Sequence, residues 1–135
     1  MKESISAVVA VIEHNGTVLV GRKRAEPNHV FDGAWHIPGG KVERDETDEQ
    51  ALLREMNEET GLTISVRRFL GTRTDTTSGA VVRWHLCSPV SGEAGAGSDL
   101  EELRFVPRTS VRDVCDPKAV ALWPNEVTAY LNPPK

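Results

Sequence analysis

Two periodicities take turns along this chain. Ser4–Ile12 is a run rich in Val and Ala, and the apolar pattern resumes at Thr17–Val20 after Asn15-Gly16, the dipeptide best able to supply the two positive φ angles of a tight hairpin turn. A β-hairpin is therefore expected to open the fold. The pattern then breaks from Arg22 to Ala34, a polar stretch containing Pro27 and Gly33 that reads as a loop. Trp35-His36-Ile37 reads as a short strand stopped by Pro38-Gly39-Gly40, where two glycines permit backbone geometry closed to other residues.

At Thr47 the period changes to that of a helix. Thr47 and Gln50 make a capping box, Asp48 and Glu49 fill the first turn, and Gly61 is the stop. Leu52 and Met56, flanked by Ala51 and Leu53, give this helix an apolar stripe. Strands are expected at Leu62–Leu70, at Ala80–Cys87, where Val82, Trp84 and Leu86 alternate, and at Glu102–Val106, with a flexible Gly-Ala-Ser loop over Ser91–Ser98. Asp116-Pro117 supplies a cap and a first-turn proline for a last helical segment. Trp123-Pro124 must break or restart it, because an interior proline costs ~3 kcal/mol. With no repeat and no interdomain linker, residues 1–135 read as a single mixed α/β domain.

Composition narrows the class. The chain has 135 residues, 39% hydrophobic, with 20 acidic against 16 basic side chains and a net charge of −4. That is enough apolar material for a core without disulfides or a structural metal. Ala7–Ile12, the longest apolar stretch, falls far short of the ~18 residues that cross a bilayer, and Met1-Lys2-Glu3 leads into no signal-peptide core. A cytoplasmic protein without a membrane partner is expected. Cys87 and Cys115 are too few for a disulfide framework and are not spaced as a zinc pair, so both are expected reduced and at least half-buried. Of the histidines, His14 and His29 fall in expected loops and His36 and His85 in expected strands, and no pair has ligand spacing. Trp84 and Trp123 are read as core.

The charge is unevenly distributed. Between Glu43 and Glu59 eight acidic residues face only Arg44 and Arg54, a local net of −6 that leaves about +2 for the rest. Such a run is either a solvated helix face or a cation-attracting site, and it argues against a nucleic-acid polymer as partner. The spacing sharpens the choice. Glu55, Glu58 and Glu59 stand at i, i+3 and i+4, three carboxylates on one side of the helix with no interspersed lysine. Hard oxygen donors on a rigid helix suit Mg²⁺ or Mn²⁺ completed by substrate phosphates. Arg54 adjoins them, placed to orient a carboxylate or to touch a phosphate.

Read outward, the cluster becomes Gly40-x5-Glu46-x7-Arg54-Glu55-Met56-x-Glu58-Glu59-x-Gly61-Leu62. This resembles the signature box of the Nudix hydrolases, and every fixed position of its 23 residues is matched. One departure is Asp45, where many members carry glycine. The resemblance implies a Nudix-type α/β/α sandwich with a mixed sheet and the signature loop-helix-loop, and a metal-dependent attack of water on a nucleoside-linked diphosphate. Carried over by position, Glu55, Glu58 and Glu59 are the metal ligands, with the Gly39 carbonyl as a fourth. Glu46 either pairs with Arg54 or helps hold water at the metal. The base is Glu58 or, from a late strand, Glu101 or Glu102.

Substrate selection lies outside the box. Arg22, Lys23 and Arg24 read as contacts to terminal phosphates or as solvated surface charge, and Gly40 heads the box on the substrate side. Trp35 is a base-stacking ring or a core residue. Asn125 resembles the position at which purine triphosphate-cleaning members set an Asn against the base, or it is a helix cap. The proline beyond the box that marks ADP-ribose hydrolases and the tyrosine that marks dinucleoside polyphosphate hydrolases are missing from Asp75-Thr76-Thr77-Ser78-Gly79-Ala80. The coenzyme A pattern is incomplete. The leading expectation is a Mg²⁺-dependent pyrophosphohydrolase taking a small nucleotide, a (deoxy)nucleoside triphosphate, to monophosphate and pyrophosphate. The alternatives are a nucleotide-sugar or ADP-ribose diphosphatase, which the likeness of Gly40–Thr47 to a GDP-mannose-hydrolysing branch keeps open, and a non-catalytic nucleotide-sensing module. Homodimers are common in the family, though no exposed apolar stripe in the sequence argues for one.

Overall fold

A computed structural model describes residues 5–24, 33–76, 78–97 and 100–133. Pro27, His29, Thr77 and Ser98, together with residues 1–4, lie outside them. In chain order the elements are β1 (Ser6–His14), β2 (Thr17–Lys23), β3 (Trp35–His36), β4 (Gly39–Lys41), α1 (Asp48–Thr60), β5 (Thr63–Thr74), β6 (Val81–Ser91) and β7 (Leu100–Pro107). A 3-10 turn at Arg108–Ser110 then leads into α2 (Val111–Val114), α3 (Pro117–Val120) and α4 (Asn125–Leu131). None of the described helices is long and apolar enough to cross a membrane.

Asn15 and Gly16, at φ 50° and 81°, close the opening hairpin with Glu13 opposite Val18 and His14 opposite Thr17. The strands run in the order β3-β2-β1-β6-β5, with β4 also on β1 and β7 on β2. The β1–β6 pair is parallel and the others are antiparallel, so the sheet is mixed. Both faces of β1 are covered, which explains an apolar run where a half-exposed strand would alternate. Val8, Ala10 and Ile12 pack with Leu52 and Met56 of α1, whereas Val11 packs with Trp123, Val127 and Leu131 of the terminal segment. The result is three layers, α1, the sheet, and α2–α4, as the resemblance implies.

Several boundaries differ from the sequence reading for tertiary reasons. β2 continues through Lys23, because β7 pairs with it along its whole length, so Arg22 and Lys23 are strand residues and not loop. The strand at Trp35 does stop before Pro38, but Gly39-Gly40 also starts a new one: β4 lies on β1 with Gly39 opposite Val9 and Gly40 opposite Val8. A Cβ on Gly39 would overlap the Val8 carbonyl oxygen. Leu53 is 37% exposed and stands off the buried stripe of Ala51, Leu52 and Met56. His14 ends β1 instead of lying in a loop. The last helical segment falls into three short helices. Asp116 caps α3 by accepting from the Lys118 N–H at 2.8 Å, and Pro124 is the N-cap of α4. The Gly-Ala-Ser stretch is fastened to the end of α1, with Gly95 and Gly97 N–H groups donating at 2.9 Å to the carbonyls of Thr60 and Glu59. Cys87 and Cys115 are buried free thiols, pushed up to about 12 by burial.

Candidate active site

Helix α1 is determined at both ends by local chemistry. The Thr47 hydroxyl accepts from the Gln50 N–H at 3.1 Å while the Gln50 side chain accepts from the Thr47 N–H at 2.9 Å, and Gly61 closes the helix at φ 73°. The last turn holds Glu58 and Glu59 and no basic residue. The first turn is tied to the sheet by a contact between distant residues. Asp48 accepts from Arg83 Nε and Nη2 at 2.7 and 2.6 Å, and its Oδ2 lies 2.9 Å from His85 Nε2. The hydrogen bond from Arg83 holds the Asp48 carboxyl below its ordinary range.

Arg54 organises the centre of the site. Its Nε and Nη2 donate to both oxygens of Glu46, at 2.8 and 2.9 Å, its Nη1 to Glu55 Oε1 at 2.9 Å, and its Nη2 to the Lys41 carbonyl at 3.0 Å. Glu43 and Glu58 each place an oxygen 3.6 Å from Nη1. Glu46 also accepts from the Glu43 N–H at 2.8 Å. The Arg54 hydrogen bonds, with that backbone N–H, lower the Glu46 carboxyl from 4.5 to about 2, and the same hydrogen bond raises the Arg54 pKa. The loop that presents Glu46 carries Asp45 at φ 68°. This is the left-handed region where glycine is at ease, which accounts for glycine as the usual residue there.

The three box carboxylates occupy different environments. Glu59 is 8% exposed, whereas the side chains of Glu55 and Glu58 are 15% and 52% exposed. Gly40 on β4 makes room for Glu55, since a Cβ there would fall on the Glu55 carboxyl carbon. Among the described residues no three His, Cys, Asp or Glu side chains already converge as a metal group; Arg54 takes hold of Glu55 and stands near Glu58. By donor chemistry the carboxylates fit a hard divalent cation.

The remaining sequence-predicted residues are spread over the other face and the sheet edge. Arg22 on β2 contacts Glu101 and Glu102 of β7 at 3.3 and 3.2 Å. Arg24 is exposed just past β2. Trp35 is half-buried against the core, with the Arg104 guanidinium 5.0 Å from its ring centre. Asn125 is the first residue of α4 and is exposed. It is not the cap, which is Pro124.

Sequence reasoning missed a cavity of about 230 Å³ between the sheet and the terminal helices. Val9, Ile37, Val82, Trp84, Ala119 and Trp123 wall it, with His36 also on its lining. Trp84 and Trp123 are buried, as core reading required. Their additional role needed the spatial meeting of β1, β3, β6 and α3. Asn125 is not on its lining, although Trp123 two residues earlier is. His36 and Ile37 are only a few residues before Gly40, so the β3–β4 segment links this cavity to the Glu55 side of the sheet.

The NUDIX domain family model matches residues 2–131. The chain is 36% identical over 81 residues to CTP pyrophosphohydrolase of Escherichia coli strain K12, covering 60% of this chain and 58% of that protein. It is 34% identical over 103 residues to ADP-ribose pyrophosphatase of Methanocaldococcus jannaschii, covering 73% and 59%. The alignments thus span less than two thirds of the length of these curated relatives. The solution structure of the E. coli ORF135 protein superposes with a TM-score of 0.73 at 26% identity, over 98% of this chain and 96% of that one. With a family model matched almost end to end, a signature box folded as loop, helix and loop, and a three-layer architecture around it, the chain belongs to the Nudix family.

Proposed function

We propose that the protein is a Nudix pyrophosphohydrolase which uses Mg²⁺ or Mn²⁺ to convert a (deoxy)nucleoside triphosphate and water into the monophosphate and pyrophosphate. The observation that carries this reading is the Arg54 network, which fixes Glu46 and Glu55 beside Gly40 and stands next to Glu58. Glu55, Glu58 and Glu59, with the Gly39 carbonyl, are the groups that would hold the cation. Bound there, it supplies Lewis acidity toward the diphosphate oxygens. Arg54 keeps Glu46 ionised and orients both Glu46 and Glu55, so little reorganisation is needed when charge builds up on the phosphates. Glu58, the most exposed of the three, takes the role of accepting the proton of the attacking water. Arg22 and Arg24 meet phosphate oxygens.

The cavity under α3 and α4 supports a place for the nucleobase, where Trp84 and Trp123 offer apolar aromatic surface. The names of the two relatives, one for CTP and one for ADP-ribose, agree on a nucleotide diphosphate linkage and differ on what is attached. A second reading, an ADP-ribose or nucleotide-sugar diphosphatase, is favoured by the ADP-ribose pyrophosphatase match, which covers 73% of this chain. Its products are a sugar phosphate and a nucleoside monophosphate.

Purified protein with Mg²⁺ is to be assayed against nucleoside triphosphates, nucleotide sugars, ADP-ribose and dinucleoside polyphosphates, with products identified by mass spectrometry. Monophosphate plus pyrophosphate supports the leading reading, and release of a sugar phosphate supports the second. Nucleotide binding without turnover across the panel would overturn both in favour of a sensing module.

A further inference from the structure

Strand β7 does not pair regularly with β2. The partners step from Arg22 opposite Glu102 to Lys23 opposite Leu100, which leaves Glu101 as an extra residue in a β-bulge. In a regular strand neighbouring side chains point to opposite faces. The bulge lets two successive glutamates reach one guanidinium, with Arg22 Nη1 3.3 Å from Glu101 Oε2 and Nη2 3.2 Å from Glu102 Oε1. The other oxygen of Glu102 accepts from Arg104 Nη2 at 3.1 Å, and Arg104 in turn lies over Trp35.

The registers set Trp35, Arg22 and Glu102 side by side across β3, β2 and β7. Val20, two positions from Arg22, and Val106, four from Glu102, belong to the core cluster that contains Trp84 and Trp123. The ladder therefore lies on the cavity's face of the sheet. Trp35 directly precedes His36, which is on the cavity lining.

We propose that Glu102 is a positioning residue that holds Arg22 toward the substrate phosphates and braces Trp35 through Arg104, and that it is not the general base. Its Oε1 faces Arg22 and its Oε2 faces Arg104, a placement that orients two guanidinium groups, whereas a general base must lie within hydrogen-bond reach of the attacking water. Glu101, brought round by the bulge, is the second arm of the same holder. What Arg22 meets rests on the proposed function; the holder itself rests on the bulge.

The test compares wild type, Glu102→Gln, Arg22→Ala and the double variant in two assays. One is the pH dependence of kcat and KM with the best nucleotide. The other is calorimetric binding of a triphosphate analogue with a methylene bridge between its α and β phosphorus atoms. Glu102→Gln is expected to raise KM and weaken analogue binding roughly tenfold. It leaves kcat and its pH profile in place, and its effect shrinks in the Arg22→Ala background, where only the brace on Trp35 is left to lose. A kcat lowered by orders of magnitude with loss of the acidic limb would make Glu102 the base, and additive effects of the two substitutions would separate it from Arg22; either overturns the proposal. Wild type that binds the analogue but turns over no nucleotide refutes the enzymatic reading alone, and the binding cycle still decides the role of Glu102. Wild type that does not bind the analogue overturns both.

Discussion

On the α1 side of the sheet, charge is held by charge. Arg54 joins Glu46 to Glu55, and Arg83 with His85 fastens Asp48, so that carboxylates are gathered on a helix whose two ends are capped. On the opposite side, beneath α3, the material is mostly apolar: Val9, Ile37, Trp84 and Trp123 line a cavity that Arg73 and Asp75 also reach. Strand β1 feeds both sides, sending Val8, Ala10 and Ile12 one way and Val9 and Val11 the other. Under the proposed function, bond cleavage and ligand recognition would be separately alterable, because the two regions share a strand but no side chain. That separation is a physical reason for one scaffold to carry many specificities.

The sharpest way to break the comparison is Glu58→Gln on the charged side. Turnover is expected to fall by roughly 10²–10⁴-fold, the usual contribution of a positioned acid or base, with a melting temperature no lower than the wild type's, because Glu58 is half exposed and its charge opposes the helix end. Wild-type turnover in this variant would remove Glu58 from the site. Gly40→Ala should follow in size. The new methyl group must displace the Glu55 carboxylate, so activity should drop together with about 1–3 kcal/mol of stability, the ordinary cost of overpacking, as read by chemical denaturation. On the apolar side, Ala119→Val should fill part of the cavity and raise KM on the order of tenfold, the effect of one or two methylene-sized steric changes, while kcat stays within the error of the assay. A fall in kcat alone would show that the two faces are not separable.

A smaller effect sharpens the electrostatics. Glu46 is lowered to about 2 chiefly by its hydrogen bond from Arg54. A depressed carboxylate contributes stability above its ordinary pKa and loses it as pH falls through the folded one. Removing the arginine with Arg54→Met should return Glu46 toward 4.5, so the stability gap between wild type and variant should be flat from neutral pH to that value and close on the way down to about 2. Denaturation at a series of pH values measures it. A gap unchanged at the acid end would mean that Arg54 stabilises the fold through contacts other than Glu46. The smallest effect belongs to Asp45→Gly, which relieves the left-handed backbone at φ 68°. It should raise stability by at most ~1 kcal/mol without altering kcat.

The same division separates what could be read in the sequence from what could not. Helix α1 was legible to the residue, Thr47 to Gly61, because caps, box and period are all local signals. The hairpin at Asn15-Gly16 was legible for the same reason. The break before Gly39-Gly40 was legible, but the start of β4 there was not, because its partner β1 lies some thirty residues earlier in the chain. The Asp48–Arg83–His85 contact depends on the parallel register of β6, and the bulge at Glu101 on the pairing of β7, neither of which has a local signature. Leu53 looked like core by type and is on the surface by angle. The cavity was least legible, since its walls come from four strands, a helix and the segments between them, and Ile37, Trp84 and Trp123 among them are also ordinary core residues.

The absence of a basic residue from the last turn of α1 has a wider consequence. A helix ends in partial negative charge, and here Glu58 and Glu59 sit in that end with no lysine or arginine of the turn to offset it. The turn is therefore locally frustrated: the like charges that resist helix formation are the ones a divalent cation would relieve. Anything that binds the folded chain and not the unfolded one stabilises it by mass action. A cation held there as proposed would make its concentration and fold stability two readings of one equilibrium, so thermal melting in graded Mg²⁺ tests the site even before a substrate is known.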